Sequence, residues 1–449
     1  MEHPTEISWA SRAHPSLSVA LALTCLLVPS MAMAIQPLSE FLAGTRNQST
    51  DARIAALGAI QQQADALVAL GRNLPSVSAR GVYTHNQSEA SLSASQFAGG
   101  AAIPGGQSIV IQPSSQLDAY FQLDVPIIDV AGWARTRAAH ANERAAGATA
   151  AATILDVEKQ VARSYYQLIG SEALRTAAEK TLTAAQQNLV LTRERQAGGV
   201  ATELDIDRAS AEMARALRSI SDAELSSELA RRALHTLTGV TAEGDIPTAT
   251  DDLHEEAPLQ TWEGLDIESI PSVVSSAEQH NSADAAAQAA WLSLLPVLSG
   301  SAQEHLTNAP GFFGRNSVWY LGLTATLKLD LTTLGNVRSQ EAAAAIAQTR
   351  NEAAHQQALD RVHEAWFRIH NGIAKSRAAR AESEAAAAAV ARARERYAQG
   401  ASTQLELVQA ERDAFSAEVS RIQADADLAY ARAGLRLDAG HPLDEESQP

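Results

Sequence analysis

Residues 193–209 read RERQAGGVATELDIDRA, and residues 394–410 read RERYAQGASTQLELVQA. Each stretch is a helix end, a turn of small residues and a new helix start. Gly198-Gly199 and Gln399-Gly400 follow a basic last turn (Arg193, Arg195; Arg394, Arg396), which suits the negative end of a helix dipole, and their glycines can take positive φ. Thr202 and Thr403 then stand as N-caps. Asp205 and Glu406, three residues on, carry acids that can reach back to the cap amide, as in a capping box. Both stretches therefore read as tips of helical hairpins.

The spacing between the two copies extends far beyond the tips. Displacing the sequence by 201 residues aligns Asp129 with Asp330, Arg137 with Arg338, Gly199 with Gly400, Thr202 with Thr403, Leu204 with Leu405 and Gly239 with Gly440, without a gap. An internal duplication covers most of the chain. Residues 138–197 contain no proline and span about 90 Å as a helix, whereas the return helix, 202–237, spans about 54 Å. A short helix at 51–70, about 30 Å, fills the difference if it stacks end to end with the return helix. The second copy repeats this with 338–398, 403–438 and 272–291.

Strand signals lie only between the helices. Leu117, Ala119, Phe121, Leu123 and Val125 alternate with polar residues up to Pro126, and Trp319, Leu321, Leu323, Ala325, Leu327 and Leu329 do the same downstream. Their apolar faces match at an offset of 200 rather than 201. Since a one-residue slip inverts a strand, a bulge near Pro126 is expected. Partner strands at 76–85 and 297–306 give two hairpins. Four such strands leave open edges, which are untenable in lipid, so closure requires further subunits.

Composition narrows the function classes. The 449 residues are 46% hydrophobic but only 4% aromatic, with alanine throughout, which favours slender helix packing over one thick core. A formal net charge of -17 and the lack of a basic, aromatic-interleaved face argue against nucleic acid. Residues 16–34, SLSVALALTCLLVPSMAMA, read as a secretory signal peptide with cleavage after Ala34, with a single membrane anchor as the other reading of a run this long; the single cysteine, Cys25, falls inside it. No Ser-His-Asp order or phosphate-binding glycine loop points to catalysis, and neither His355 with His363 nor His140 with Glu143 has a third ligand for a metal. No cofactor is implied. Tyr120, Phe121, Trp319 and Tyr320 are candidates for an interfacial aromatic girdle, with ordinary strand packing as the other reading.

Taken in order, LPSVSA and LLPVLSGSA, VPIIDVAGW and LKLDLTTLG, and the two tip stretches resemble the outer membrane efflux proteins, the TolC-like exit ducts of Gram-negative bacteria, over residues 35–440. The resemblance implies a mainly α fold with a small β part: a homotrimer whose four strands per chain close a twelve-stranded transmembrane β-barrel, continued by a long α-helical barrel. The chain divides accordingly into a signal peptide (1–34), a first repeat (35–240, β-hairpin 76–128, helical hairpin 135–238) and a linker or equatorial segment (241–271). A second repeat (272–440, β-hairpin 297–330, helical hairpin 338–438) and a C-terminal tail (441–449) complete it. The family's junction between strand and helix usually carries a phenylalanine and paired glycines; IIDVAG and KLDLTTLG do not.

The implied function is a passive exit duct of a tripartite efflux or type I secretion system. It would sit in the outer membrane lipid, extend into the periplasm, and dock to a periplasmic adaptor and an inner-membrane pump. The other reading is a soluble periplasmic coiled-coil scaffold. In the duct, Asp205 and Glu406 fall at the periplasmic aperture with Arg208 and Gln409 beside them. Gly198, Gly199, Thr202, Leu204, Gly400, Thr403 and Leu405 form the adaptor-docking turns.

Overall fold

A computed structural model describes residues 35–92, 109–244, 246, 250–264, 266–311, 314–441 and 443. The expected signal peptide with Cys25, and most of the C-terminal tail, lie outside the described residues.

Two helices of equal length dominate the structure. α3 runs over Val130–Ala197 and α7 over Leu331–Ala398, 68 residues each, or about 100 Å. Both begin seven or eight residues earlier than expected, and equivalent residues start them. The Asp129 carboxylate accepts from the Gly132 N–H (2.7 Å), and the Asp330 carboxylate from the Thr333 N–H (2.6 Å). Side-chain N-caps, invisible to a hydrophobic period, extend these helices to the strand ends. The return helices are α4 (Glu203–Thr238) and α8 (Gln404–Asp438). The short helices α2 (Thr50–Gly71) and α6 (Pro271–Leu292) continue the long helices' packing toward the sheet.

Within the chain, α3 packs against α4 and α8 in the tip half and against α2 and α6 in the sheet half, while α7 packs against α8 and α6. The side-by-side order is therefore α4-α3-α8-α7 below and α2-α3-α6-α7 above. Among the described residues, α4 and α7 are the outermost helices below and α2 and α7 above, with α1 (Leu38–Gln48) packed on α4 and α5 (Leu259–Glu263) on α7.

An unexpected helix, α1 (Leu38–Gln48), sits where α2 and α4 meet. Phe41 is fully buried there with Val157, Val161, Leu168 and Leu234. Gly44 is required by close approach, since a Cβ would come within 2.4 Å of the Thr238 carbonyl oxygen. The second copy fills the same position differently, with α5 (Leu259–Glu263) and a single 3-10 turn (Ile267–Ser269). These two copies share long helices but not the joint between the short ones.

The sheet is antiparallel, in the order β1 (Ser76–His85), β4 (Ser115–Ile128), β5 (Val297–Thr307), β6 (Ser317–Thr326). Two hairpins were expected; the pairing of β4 with β5 joins them into one sheet. β4 does not stop at Pro126: it passes through a register shift between Pro126 and Ile128, where the bulge was expected. Leu327 and Leu329 lie beyond β6. A small ribbon of β2 (Ala90–Leu92) and β3 (Ile109–Gln112) extends the first hairpin.

Register separates the girdle candidates. Phe121, Glu304 and Trp319 are directly paired across three strands and share one face, whereas Tyr120 pairs with His305 and Gln303 with Tyr320 on the other. Tyr120 stacks on His305 (4.4 Å between centroids), His305 Nε2 lies 2.8 Å from Asp118, and the Tyr320 hydroxyl donates to Gln303. Only Phe121 and Trp319 of the four stand on the apolar face with Val77, Leu123 and Leu321.

Candidate functional site

The two tips share one backbone. After α3, the Gly199 N–H donates to the Gln196 carbonyl and the Val200 N–H to the Arg195 carbonyl; after α7, Gly400 and Ala401 do the same to Tyr397 and Arg396. This is a Schellman motif in both, with Gly199 at φ 76° and Gly400 at φ 75°. Gly198 and Gln399 keep negative φ and close the helices as C-caps. A Cβ at Gly199 would meet nothing, and one at Gly400 only the Arg195 guanidinium at 3.9 Å, so both turns face open space. Val200, Leu204 and Leu405 project there, each more than half exposed.

The acids differ between the tips. Asp205 completes a capping box: Thr202 Oγ1 accepts from the Asp205 N–H, and the Asp205 carboxylate accepts from the Thr202 N–H at 3.0 Å. Bonds from the Thr202 backbone and hydroxyl hold the Asp205 carboxyl below the usual range, with Arg208 adding at 3.8 Å. In the second tip Thr403 caps the Glu406 N–H (3.3 Å), but the Glu406 side chain does not return a bond to the cap. The reciprocal box expected at Glu406 is therefore only half formed, and its carboxylate stands exposed in solvent. Gln409 turns away to Asp413, donating at 2.9 Å. Thus Asp205 and Arg208 are tied to one another, while Glu406 and Gln409 are not.

Arg195 connects the tips. Its Nη1 donates to the Tyr397 carbonyl (2.6 Å), and its guanidinium lies over the Tyr397 ring at 4.4 Å. Just above, the buried Asn188, Gln404 and Glu411 form a polar layer between α3 and α8, with Gln404 Nε2 donating to Asn188 Oδ1 at 3.2 Å. Burial pushes the Glu411 carboxyl up, against the opposing pull of Arg394 at 3.1 Å and of Asn188. Glu212 of α4 accepts from Arg412 of α8 (2.8 Å) and from Arg215 (2.6 Å).

A second polar centre lies at mid-height, in the segment between the repeats. Arg432 of α8, 5% exposed, donates to both Asp251 oxygens (2.7 and 3.0 Å), to Glu256 (2.6 Å) and to the His254 carbonyl (2.7 Å). Arg380 of α7 reaches the Asp251 carbonyl and also Asp425. Asp251, Asp252 and His254 bring ligand atoms within 4.8 Å of one another, but the guanidinium already supplies the positive charge there. His363 meets Glu263 (3.2 Å) rather than His355, and His140 is paired with Glu143 (3.0 Å). Sequence reading missed the Arg432 centre because its partners lie some 180 positions away.

A bundle of long helical hairpins, one end carrying an open sheet with one apolar face and the other bare hairpin tips, defines a subunit of a membrane-anchored duct. The chain belongs to the outer membrane efflux protein family, whose profile matches residues 42–240 and 267–441. It is an outer membrane efflux channel protein that reaches into the periplasm; membership in this family sets the soluble scaffold aside.

Solved structures share the fold. The Campylobacter jejuni CmeC outer membrane channel is similar with a TM-score of 0.76 and 16% identity over 90% of this chain and 86% of that one. The open state of the Neisseria gonorrhoeae MtrE outer membrane channel gives 0.73 and 20%, over 93% and 92%. The Vibrio cholerae outer membrane protein VceC gives 0.73 and 18%, over 90% and 96%. No curated protein matches the sequence.

Proposed function

We propose that the chain is one third of a homotrimeric, passive exit duct of a tripartite efflux or type I secretion system. The observation that carries this reading is the open sheet. β1 and β6 each offer a full row of unpaired backbone groups at an edge, Val77, Leu321 and Leu323 are largely exposed, and such edges are stable in lipid only when other strands cover them. Three copies of four strands make an even-numbered antiparallel barrel. The repeat boundaries at 35–240 and 272–440 then describe two quasi-equivalent sixths of the wall, and 241–271 the strap between them. The duct performs no chemistry of its own; the pump supplies energy and selects cargo.

The tips are the adaptor-facing end. Gly198, Gly199, Thr202, Leu204, Gly400, Thr403 and Leu405 present two matching turns with small backbones and exposed Val200, Leu204 and Leu405, which suits helix-tip docking. Glu406, free of its cap, lends the mouth negative charge, with Asp205, Arg208 and Gln409 beside it.

Mass determination in detergent and export assays test this reading together. A trimer that conducts in planar bilayers is expected. Replacing Gly199 and Gly400 with leucine should abolish export while trimers still insert, because the side chains have room and the strain of positive φ, about 1–2 kcal/mol each, falls on exposed turns, while the added bulk blocks the docking face. A monomer, or normal export from the double variant, would overturn the duct or the docking surface respectively.

A further inference from the structure

Resting on the reading of the sheet as the membrane-spanning end, we infer that the first turns of α3 and α7 form a collar that binds anionic phospholipid headgroups in the periplasmic leaflet. The two helices start alike. Val130, Trp133 and Arg137 of α3 stand at i, i+3 and i+7, and Leu331, Leu334 and Arg338 of α7 repeat them at the offset of 201. All six are exposed, Leu331 by 85% and Trp133 by 57%. Residues at this spacing share one helix face. Each face therefore carries two large apolar side chains at the start of its helix and a guanidinium about two turns in.

The apolar face of the sheet runs straight into these stripes. On β4, Ile127 and Ile128 are half exposed beside the cap Asp129, and a Cβ at Gly300, which pairs with Val125 and Leu323, would touch Ile127 at 3.4 Å. Ile127 thus shares the face of Val125 and Leu323. After β6, Leu327 and Leu329 carry the run on to Leu331, each more than half exposed. In water such a belt would bear the full cost of apolar hydration; against acyl chains it bears none. Eleven residues separate Leu117 from Ile128, about 36 Å of strand or roughly 28 Å of height at a tilt of ~40°, close to the ~25 Å apolar band of an outer membrane barrel. Both long helices therefore start where the hydrocarbon ends.

Arg137 and Arg338 stand about 10 Å farther along their helices, and because helical side chains lean toward the N-terminus, their guanidinium groups reach back to the headgroup level. They are unused within the chain. Arg137, Arg338 and Lys328, which precedes α7, form no salt bridge or side-chain hydrogen bond among the described residues. The acids nearby are occupied: Asp129 accepts from Gly132 and Arg135, and Asp330 from Thr333. In a chain of net charge -17, a repeated pair of free arginines at the lipid boundary marks an anionic partner. A guanidinium matches a phosphate in two parallel hydrogen bonds, and the apolar residues beside it match acyl chains. Only a phospholipid offers both at once.

Native mass spectrometry of the detergent-purified protein, titrated with phosphatidylglycerol and separately with phosphatidylcholine, tests the collar. Phosphatidylglycerol should be retained at a concentration about fivefold lower than phosphatidylcholine, the preference expected of one cation at an anionic surface, and raised salt should abolish the difference. Arg137→Gln with Arg338→Gln should bind both lipids alike. Arg163→Gln with Arg377→Gln, which neutralises two exposed, unpartnered arginines farther down the same helices, should keep the preference. Flotation of each protein with phosphatidylcholine vesicles after an alkaline wash reports insertion of the sheet independently. Equal retention of both lipids by the parent, an undiminished preference in the Arg137 and Arg338 variant, or its loss in the Arg163 and Arg377 variant overturns the collar, while flotation leaves the membrane end standing. A parent that does not float overturns both.

Discussion

Glu172 ties the two helices of the first hairpin together, and its removal should be read as a pH-dependent loss of stability. Its carboxylate accepts from Ser227 Oγ (2.5 Å) and Arg231 Nη2 (2.8 Å) on α4 and from Arg175 Nε (2.8 Å) on α3. Burial alone would push its carboxyl up, but the three bonds outweigh it and bring it from 4.5 to about 2. At about 1.4 kcal/mol per unit, that depression corresponds to roughly 3 kcal/mol, and screening of the partly exposed arginines reduces it to about 2 kcal/mol per chain. Because the folded value lies below the unfolded one, this stability is complete above about pH 4.5 and is lost as pH falls toward about 2. Glu172→Gln keeps the shape but removes the charge. Thermal unfolding followed by circular dichroism at a series of pH values should therefore place the variant about 2 °C below the parent from pH 7 to 5, with the gap closing below pH 4.5. An equal melting point at pH 7, or a gap that persists unchanged to pH 3, would refute the argument.

Other outcomes follow from the polar contacts already described. Arg432→Met removes the buried guanidinium that holds Asp251 and Glu256, should cost about 3–5 kcal/mol, and should make 241–271 the first site of limited proteolysis; unchanged cleavage would contradict the strap. At the tips, Glu406→Gln should reduce cation preference in planar bilayers without lowering the melting point, since its side chain makes no cap bond. Asp205→Ala should instead lower stability by about 1 kcal/mol through loss of the box; the reverse assignment would be shown by a selective Asp205 variant and a destabilised Glu406 variant. Intact mass of membrane-extracted protein should place the mature terminus at Ile35, and a lipidated Cys25 there would refute cleavage after Ala34.

What could be read from the sequence was local or periodic. The offset of 201 residues predicted the equal long helices and the matching tip turns, and the offset of 200 in the strands placed the bulge beside Pro126, whereas the caps Asp129 and Asp330, aligned but not read as caps, lengthened both helices beyond expectation. α1 carries a buried stripe of Leu38, Phe41, Leu42 and Thr45, but at 11 residues it is too short for the period to stand out beside the expected cleavage site. The polar contacts escaped because they join residues far apart. They are also where the duplication is broken. Arg195 crosses from the first tip to Tyr397 in the second, but the reverse contact cannot form: the repeat equivalent of Tyr397 is Gln196, which has no ring, and the equivalent of Arg195, Arg396, donates to Ala401 of its own turn. Asp205 closes its box while Glu406 leaves its own open, and α1 fills a joint that α5 and a 3-10 turn fill in the second copy. A ring of six like hairpins needs only the shared helix lengths, so those repeat. In the proposed trimer the contact inside each chain must differ from the contact between chains, and Arg195 on Tyr397, which has no reverse counterpart, marks the junction within the chain.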